Sequence, residues 1–339
     1  MNAVIRALEV GFGTTTLVKD VVDGHVRLMT FPSLVSQVDK NKSSINAGIN
    51  KRNTVTVDVD GTSYEVGPDA GLAAGKKTAR VLNSSYVNSQ QYKALLFGSL
   101  VYMDVDVIDL LVLGLPVDNW KRKEELKEFV VGEHTVDGRT FVVKDVWVIV
   151  QPMGGLLQHA NSLGQEGYNE MRDMTVLSVD PGYGTFDFCV SNGLKVNESL
   201  SDGFDLGMSA VLDAVSKNLK NVFSTLGDIN VERIDEAFWK NDGFIRLAGK
   251  KYPFPICRCQ DVNGNHVEVE FDVTRAIEEV TDSAITSMVN KVGNGADIDK
   301  IILMGGLPKF IYRRYSALIH RTTSRSSMKV CKQCAKACS

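Results

Sequence analysis

Two short segments carry residue types suited to holding a polyphosphate. Glu9-Val10-Gly11-Phe12-Gly13-Thr14 and Asp180-Pro181-Gly182-Tyr183-Gly184-Thr185 share one template: an acid, two glycines at alternate positions, then threonine. Glycine tolerates positive φ and lets a phosphate approach the main chain closely. Successive N–H groups in such a turn form a nest for an anion, and the hydroxyls of Thr14 and Thr185 are further donors. The acid that opens each turn completes the chemistry. Mg2+ takes oxygen ligands, keeps most of its water and binds through one or two carboxylates plus phosphates. Glu9 and Asp180 are therefore the expected metal-side residues, the cation neutralising charge on a transferring phosphoryl group. One such turn is weak evidence, because glycine hairpins are common; two matched copies are stronger.

The elements around the turns repeat as well. Val4–Val10 and Leu17–Val22 read as strands flanking the first turn, Thr175–Val179 and Phe186–Val190 as strands flanking the second. Phosphate loops of the P-loop and dinucleotide-binding kinds open a helix instead, and fit worse. The copies stand 171 residues apart in a chain of 339, which indicates a duplicated domain rather than a solenoid. Asp23-Gly24, Asp60-Gly61 and Asp137-Gly138 read as hairpin turns. Val107–Leu113 and Val146–Val150 read as buried strands. Ser85–Tyr102, Asn119–Phe129, Gly154–Asn161, Gly207–Leu219 and Asp272–Val292 read as helices, and Ile301–Met304 as a short strand ending at Gly305-Gly306. The fold class is α/β.

Composition narrows the setting. Net charge is −3, so the chain as a whole is not a general nucleic-acid binder. The charge is polarised: from Lys309 to Ser339 there are eight Lys/Arg and no Asp/Glu, leaving −11 on residues 1–308. No run of eighteen apolar residues is present, so no membrane span is expected, and no secretion signal is evident. All six cysteines lie beyond residue 188, which argues against a disulfide framework and for a reducing cytoplasm. Cys331, Cys334 and Cys338 offer three thiolates without a fourth ligand, a poor structural zinc site. Residues 321–339 are expected to be a disordered basic tail.

Five segments, in order, resemble the actin-like ATPase superfamily, and more closely the plasmid-segregation actins of the ParM/StbA type. Ala7–Thr14 looks like the first phosphate motif, Val148–Gly155 like the connecting motif and Val179–Asp187 like the second phosphate motif. Gly203–Gly207 looks like the nucleotide-side loop and Ile301–Gly306 like the adenosine motif. Phe31-Pro32-Ser33 and Tyr64–Ala70 are also typical of that group. The resemblance implies a duplicated actin-like (ribonuclease H-like) fold: domain I over 1–151 and domain II over 152–320, around a central nucleotide cleft. It implies ATP with Mg2+, ATP hydrolysis, and filaments that segregate plasmids. The implied partners are further copies of the chain and a small DNA-binding adaptor at a plasmid centromere, without direct nucleic-acid or membrane contact.

Residue roles follow from matched positions. Gln151 falls where the family's glutamine orients the attacking water; an amide can accept from water and donate to phosphate. With Glu9 and Asp180 it forms the implied catalytic set. Gly11, Phe12, Gly13, Thr14, Thr15, Gly182, Tyr183, Gly184 and Thr185 would hold phosphates. Gly203, Asp205 and Gly207 would lie on the ribose side, and Gly305 and Gly306 against adenine or ribose. Two positions depart from the pattern. Glu9 stands where the family has Asp, which moves the carboxylate by about 1.5 Å, and Mg2+ tolerates little geometric error. After Gly306, Leu307-Pro308 replaces the expected continuation. Two alternatives stay open: a small-molecule kinase of the same superfamily, which Gln151 in place of an acid disfavours, and a non-hydrolysing actin-like structural protein, which Glu9 keeps in play.

Overall fold

The computed structural model describes residues 3–38, 52–74, 86–224 and 229–322. The chain forms two compact units, Met1–Gly154 and Gly155–Ser339.

The first unit opens with β1 (Ile5–Val10), β2 (Thr14–Val22), β3 (His25–Pro32) and β4 (Val35–Gln37), followed by β5 (Val55–Val59), β6 (Thr62–Val66) and α1 (Ala70–Ala74). Then come α2 (Gln90–Tyr102), β7 (Val107–Ile108), β8 (Leu110–Leu115), α3 (Lys123–Val130), β9 (Gly132–Val136), β10 (Arg139–Val143) and β11 (Val146–Val150); α4 (Gln151–Ser162) runs across the boundary. The main sheet has the order β11-β8-β1-β2-β3, parallel across β11, β8 and β1 and antiparallel beyond. Asp23, Asp60 and Asp137 and the glycines after them all take positive φ, as two-residue hairpin turns require. The expected single strand Val107–Leu113 is two: β7 joins a small sheet with β9 and β10, while β8 is central in the main sheet. The expected helix Asn119–Phe129 is a 3-10 segment, Val117–Arg122, followed by α3.

Leu8, Val10, Leu17, Phe31, Leu111, Leu113 and Leu115 are buried on one face of the main sheet, where α2 contacts β1 and β2, and α3 contacts β11. Helix α2 also contacts β5 and β6. A Cβ on its Gly98 would stand 2.8 Å from Val66, so the helix runs between two sheets with no free side.

The second unit continues with α5 (Gly164–Met171), β12 (Thr175–Pro181), β13 (Phe186–Asn192), β14 (Lys195–Phe204), α6 (Met208–Val222) and α7 (Val231–Lys240). It ends with β15 (Phe244–Leu247), β16 (Lys250–Pro253), β17 (Ile256–Gln260), β18 (His266–Asp272), α8 (Thr274–Val292), β19 (Lys300–Leu303) and α9 (Lys309–Thr322). Its main sheet has the order β14-β13-β12-β19, with β12 and β19 parallel. Its core gathers Val179, Phe186, Phe188, Leu212, Ile277 and Leu303, with α6 packed on α8.

Helix α9 starts directly after Pro308 and extends beyond residue 320. Ile311, Tyr315 and Ile319 recur at helical spacing and are buried. Arg314 donates to Thr281, Glu278 and Asp282 on α8. Cys331, Cys334 and Cys338 lie outside the described residues. Among the described residues, no helix is long and apolar enough to cross a membrane.

Candidate functional site: two glycine turns at strand ends

In the first unit the parallel strands β11, β8 and β1 lie side by side, so their carboxyl ends bring Gln151, Gly114 and Glu9 together. A Cβ on Gly114 would stand 3.1 Å from Gln151 Cγ and 3.9 Å from Glu9 Cγ. The missing side chain keeps room between an amide and a carboxylate. The first turn closes by a hydrogen bond of 3.0 Å from the Gly11 N–H to the Thr14 carbonyl. A Cβ on Gly11 would stand 2.9 Å from that carbonyl oxygen and 3.6 Å from Glu9 Oε1. Only glycine fits there, and the Glu9 carboxylate lies beside the turn. Among the described residues, the Phe12 and Gly13 N–H groups donate to no backbone carbonyl, as an anion nest requires.

The turn is held from behind. Phe12 is buried and stacks on Tyr86 at 4.6 Å. The Tyr86 hydroxyl donates to the Gly11 carbonyl at 3.2 Å, and the Ser33 N–H donates to the Gly13 carbonyl at 2.9 Å. Thr15 is fully buried, its hydroxyl 2.9 Å from that of Ser33. The side chains of Phe12 and Thr15 thus support the turn from inside, while Thr14 is exposed. Glu9, Gly114 and Gln151 line one end of a hollow of about 190 Å³ on the sheet face. Glu9 is itself open to solvent, yet the protein packed around it displaces water and raises its carboxyl above the ordinary range.

The second unit builds a similar arrangement. Asp180 stands near the carboxyl end of β12, directly opposite Asp187 of β13. The Gly182 N–H donates to the Thr185 carbonyl at 2.8 Å, the same closure as in the first turn. The Thr185 hydroxyl is turned inward and donates to the buried Asp187 carboxylate. Its side chain therefore braces the turn instead of pointing out of it. The carbonyls of Gly182, Tyr183 and Gly184 accept from Met208, Ser209 and Gly207 at 3.0, 2.7 and 3.3 Å, which ties the turn to the start of α6. A Cβ on Gly207 would stand within 2.7–2.8 Å of backbone atoms of Gly182, Tyr183 and Gly184. Gly305, at φ +94°, lies against Asp180: its Cβ would stand 2.8 Å from Asp180 Oδ1. Gly203 pairs with Asp187 within the sheet. Asp205 is exposed and does not cap α6, whose N-cap is Gly207 with no side-chain bond. Gly306 is exposed at the loop after β19.

Sequence reasoning missed the supports: Tyr86, Ser33 and Gly114 in the first unit and Asp187 in the second. Gly114 carried a signal, since a glycine near the end of an apolar strand marks a close approach. The others depend on contacts distant in sequence or on which way a side chain turns.

Residues 7–154 match the family model described as the actin-like proteins' N-terminal domain. No curated protein matches the sequence. Solved structures match over nearly the whole chain. The archaeal actin homolog Ta0583, in complex with ADP, superposes with a TM-score of 0.71 at 16% identity, covering 99% of this chain and 96% of that one. A 15-stranded ParM filament from Clostridium botulinum gives 0.65 at 18% identity, covering 97% and 95%. The apo pSK41 ParM protein gives 0.59 at 15% identity, covering 97% and 92%. The chain therefore has the actin-like fold, a duplicated α/β architecture. Its first unit matches the N-terminal domain of the actin-like proteins, with structural neighbours among the archaeal and ParM-type actins.

Proposed function

We propose that this chain is an ATPase that binds ATP with Mg2+ through both glycine turns and uses hydrolysis to control its own assembly into filaments. The observation that carries the reading is the convergence of Glu9, Gln151 and a glycine turn at three adjacent strand ends. It is paralleled in the other unit by Asp180, its turn and Gly305. The residues fit the ligand. Gly11 and Gly207 leave room close to the backbone that a side chain would fill, and the Phe12 and Gly13 N–H groups are available to an anion. Among the described residues, no group of three or more His, Cys, Asp or Glu is arranged to hold a metal ion. That donor set suits Mg2+, which takes few protein ligands and shares phosphate oxygens. Bound there, the ion would neutralise phosphate charge; Glu9 and Asp180 would hold it directly or through water. Gln151 would orient water for attack on the terminal phosphate, accepting its hydrogen bond through the amide oxygen.

Filament assembly is supported by the filament-forming neighbours, and ADP binding by the archaeal one; a role in plasmid segregation through a DNA-binding adaptor extends the same reading. The decisive experiment incubates purified protein with Mg-ATP and follows light scattering and phosphate release together. ATP-dependent scattering with phosphate release supports the reading. Phosphate release only on adding a small-molecule acceptor would make the chain a kinase, and silence on both would make it a non-hydrolysing relative.

A further inference from the structure

The main sheet of the first unit is apolar on both faces, and its helices α2 and α3 pack on the face that buries Leu8, Leu17 and Leu111. The register places Ile5, Val18, Leu28, Val112, Trp147 and Ile149 together on the opposite face. Ile5, Leu28 and Trp147 are 51%, 48% and 52% exposed; Val18, Val112 and Ile149 are half-buried. Parallel strands such as β11, β8 and β1 are ordinarily covered on both faces, and an apolar patch of this extent marks an interaction surface. Apart from Glu9 at its polar end, the strand positions on this face are uncharged.

We infer that this face is a docking surface for one uncharged, apolar stripe of an amphipathic helix supplied by a partner protein. Size selects the occupant. Five strands spaced about 4.8 Å apart, over some five residues each, give a face of roughly 300–400 Å². A stable dimer buries about 800 Å² on each partner, so a second copy packed sheet to sheet falls well short. A helix is about 10 Å wide and rises 1.5 Å per residue, so roughly twelve residues span the face. Such a helix presents three or four apolar side chains at i, i+3 or i+4, and i+7, and completes a helix-on-sheet layer. The inference stands independently of nucleotide binding.

Trp147 is a built-in reporter. The full chain carrying Trp120→Phe and Trp239→Phe has it as the sole tryptophan. The probe is a fourteen-residue amphipathic Leu/Lys peptide with blocked ends. Saturable binding is expected to shift Trp147 emission to the blue and reduce its quenching by acrylamide. Leu28→Glu, across the sheet from Trp147, places a charge under the docked helix and is expected to weaken binding at least about tenfold. Leu28→Lys does the same with the opposite charge, and circular dichroism of each variant separates lost docking from lost fold. An unchanged Trp147 signal on adding peptide overturns the inference, as does binding indifferent to both Leu28 variants. It is equally overturned if Trp147 is quencher-shielded before peptide is added, whether sedimentation gives a monomer, the face then being covered by the chain itself, or a dimer that Leu28→Glu dissociates.

Discussion

At the scale of single residues, Glu9 holds opposing demands. Its carboxyl is raised by loss of water, so the folded chain binds this proton more tightly than the unfolded one. The associated stability is fully present below the ordinary glutamate value and is lost as pH rises through the raised value. Above that window the ionised side chain burdens the nucleotide-free fold. Glu9→Gln is therefore expected to raise the melting temperature at neutral pH, with the difference from the parent shrinking as pH falls below the window; thermal denaturation across pH checks this. A cation favours the ionised form, so the same substitution is expected to weaken Mg-dependent nucleotide binding at least about tenfold, by analogy with the loss of metal-site partners. Gln151 makes a different demand. Gln151→Ala is expected to leave nucleotide affinity within a few-fold while lowering phosphate release by about a hundredfold, the scale of a lost preorganised group; binding and turnover measured on one preparation separate the two.

At the scale of elements, the closest packing in the second unit is where the glycine turn meets α6. Gly207→Ala sets a methyl against three backbone positions. Backbone cannot swing away as a side-chain tip can, so a loss of about 1–3 kcal/mol is expected in urea denaturation. Gly154, in α4, is the contrast: a Cβ there meets only Ile149 Cδ1 at 3.9 Å. Gly154→Ala is expected to be neutral or stabilising by up to about 1 kcal/mol, the helix preference for alanine. The elements that carry these sites were legible because their signals are local: apolar strand, glycine turn, apolar strand. Helix α2 is real but has no polar side, since sheets lie on both sides of it, and its periodicity is faint for that reason. Residues Val146–Val150 read as a buried strand, yet β11 is an edge strand that leaves Trp147 exposed; an apolar run cannot say whether anything covers it. The inward turn of Thr15 and Thr185 was equally illegible, because each depends on a polar partner: Ser33, eighteen residues on, for Thr15, and Asp187 for Thr185.

At the scale of the molecule, the duplicated turns make a claim that neither unit makes alone. A ligand that binds only the folded chain stabilises it by about 2.7 kcal/mol at one hundred times its dissociation constant. If Glu9 and Gln151 in one unit and Asp180 and Gly305 in the other act on the same nucleotide, disabling either set must remove nearly all of that gain. Glu9→Gln and Asp180→Asn are therefore each expected to abolish most of the Mg-ATP-dependent rise in melting temperature, and the double variant to do little more, because effects within one functional set are strongly non-additive. Calorimetry with and without Mg-ATP reads this directly. Two independent phosphate sites would behave otherwise: each single substitution would remove only its own share, and the double variant would show the sum. The matched glycine turns would then record ancestry alone, and nucleotide binding would have to be assigned to one unit on the strength of its own residues.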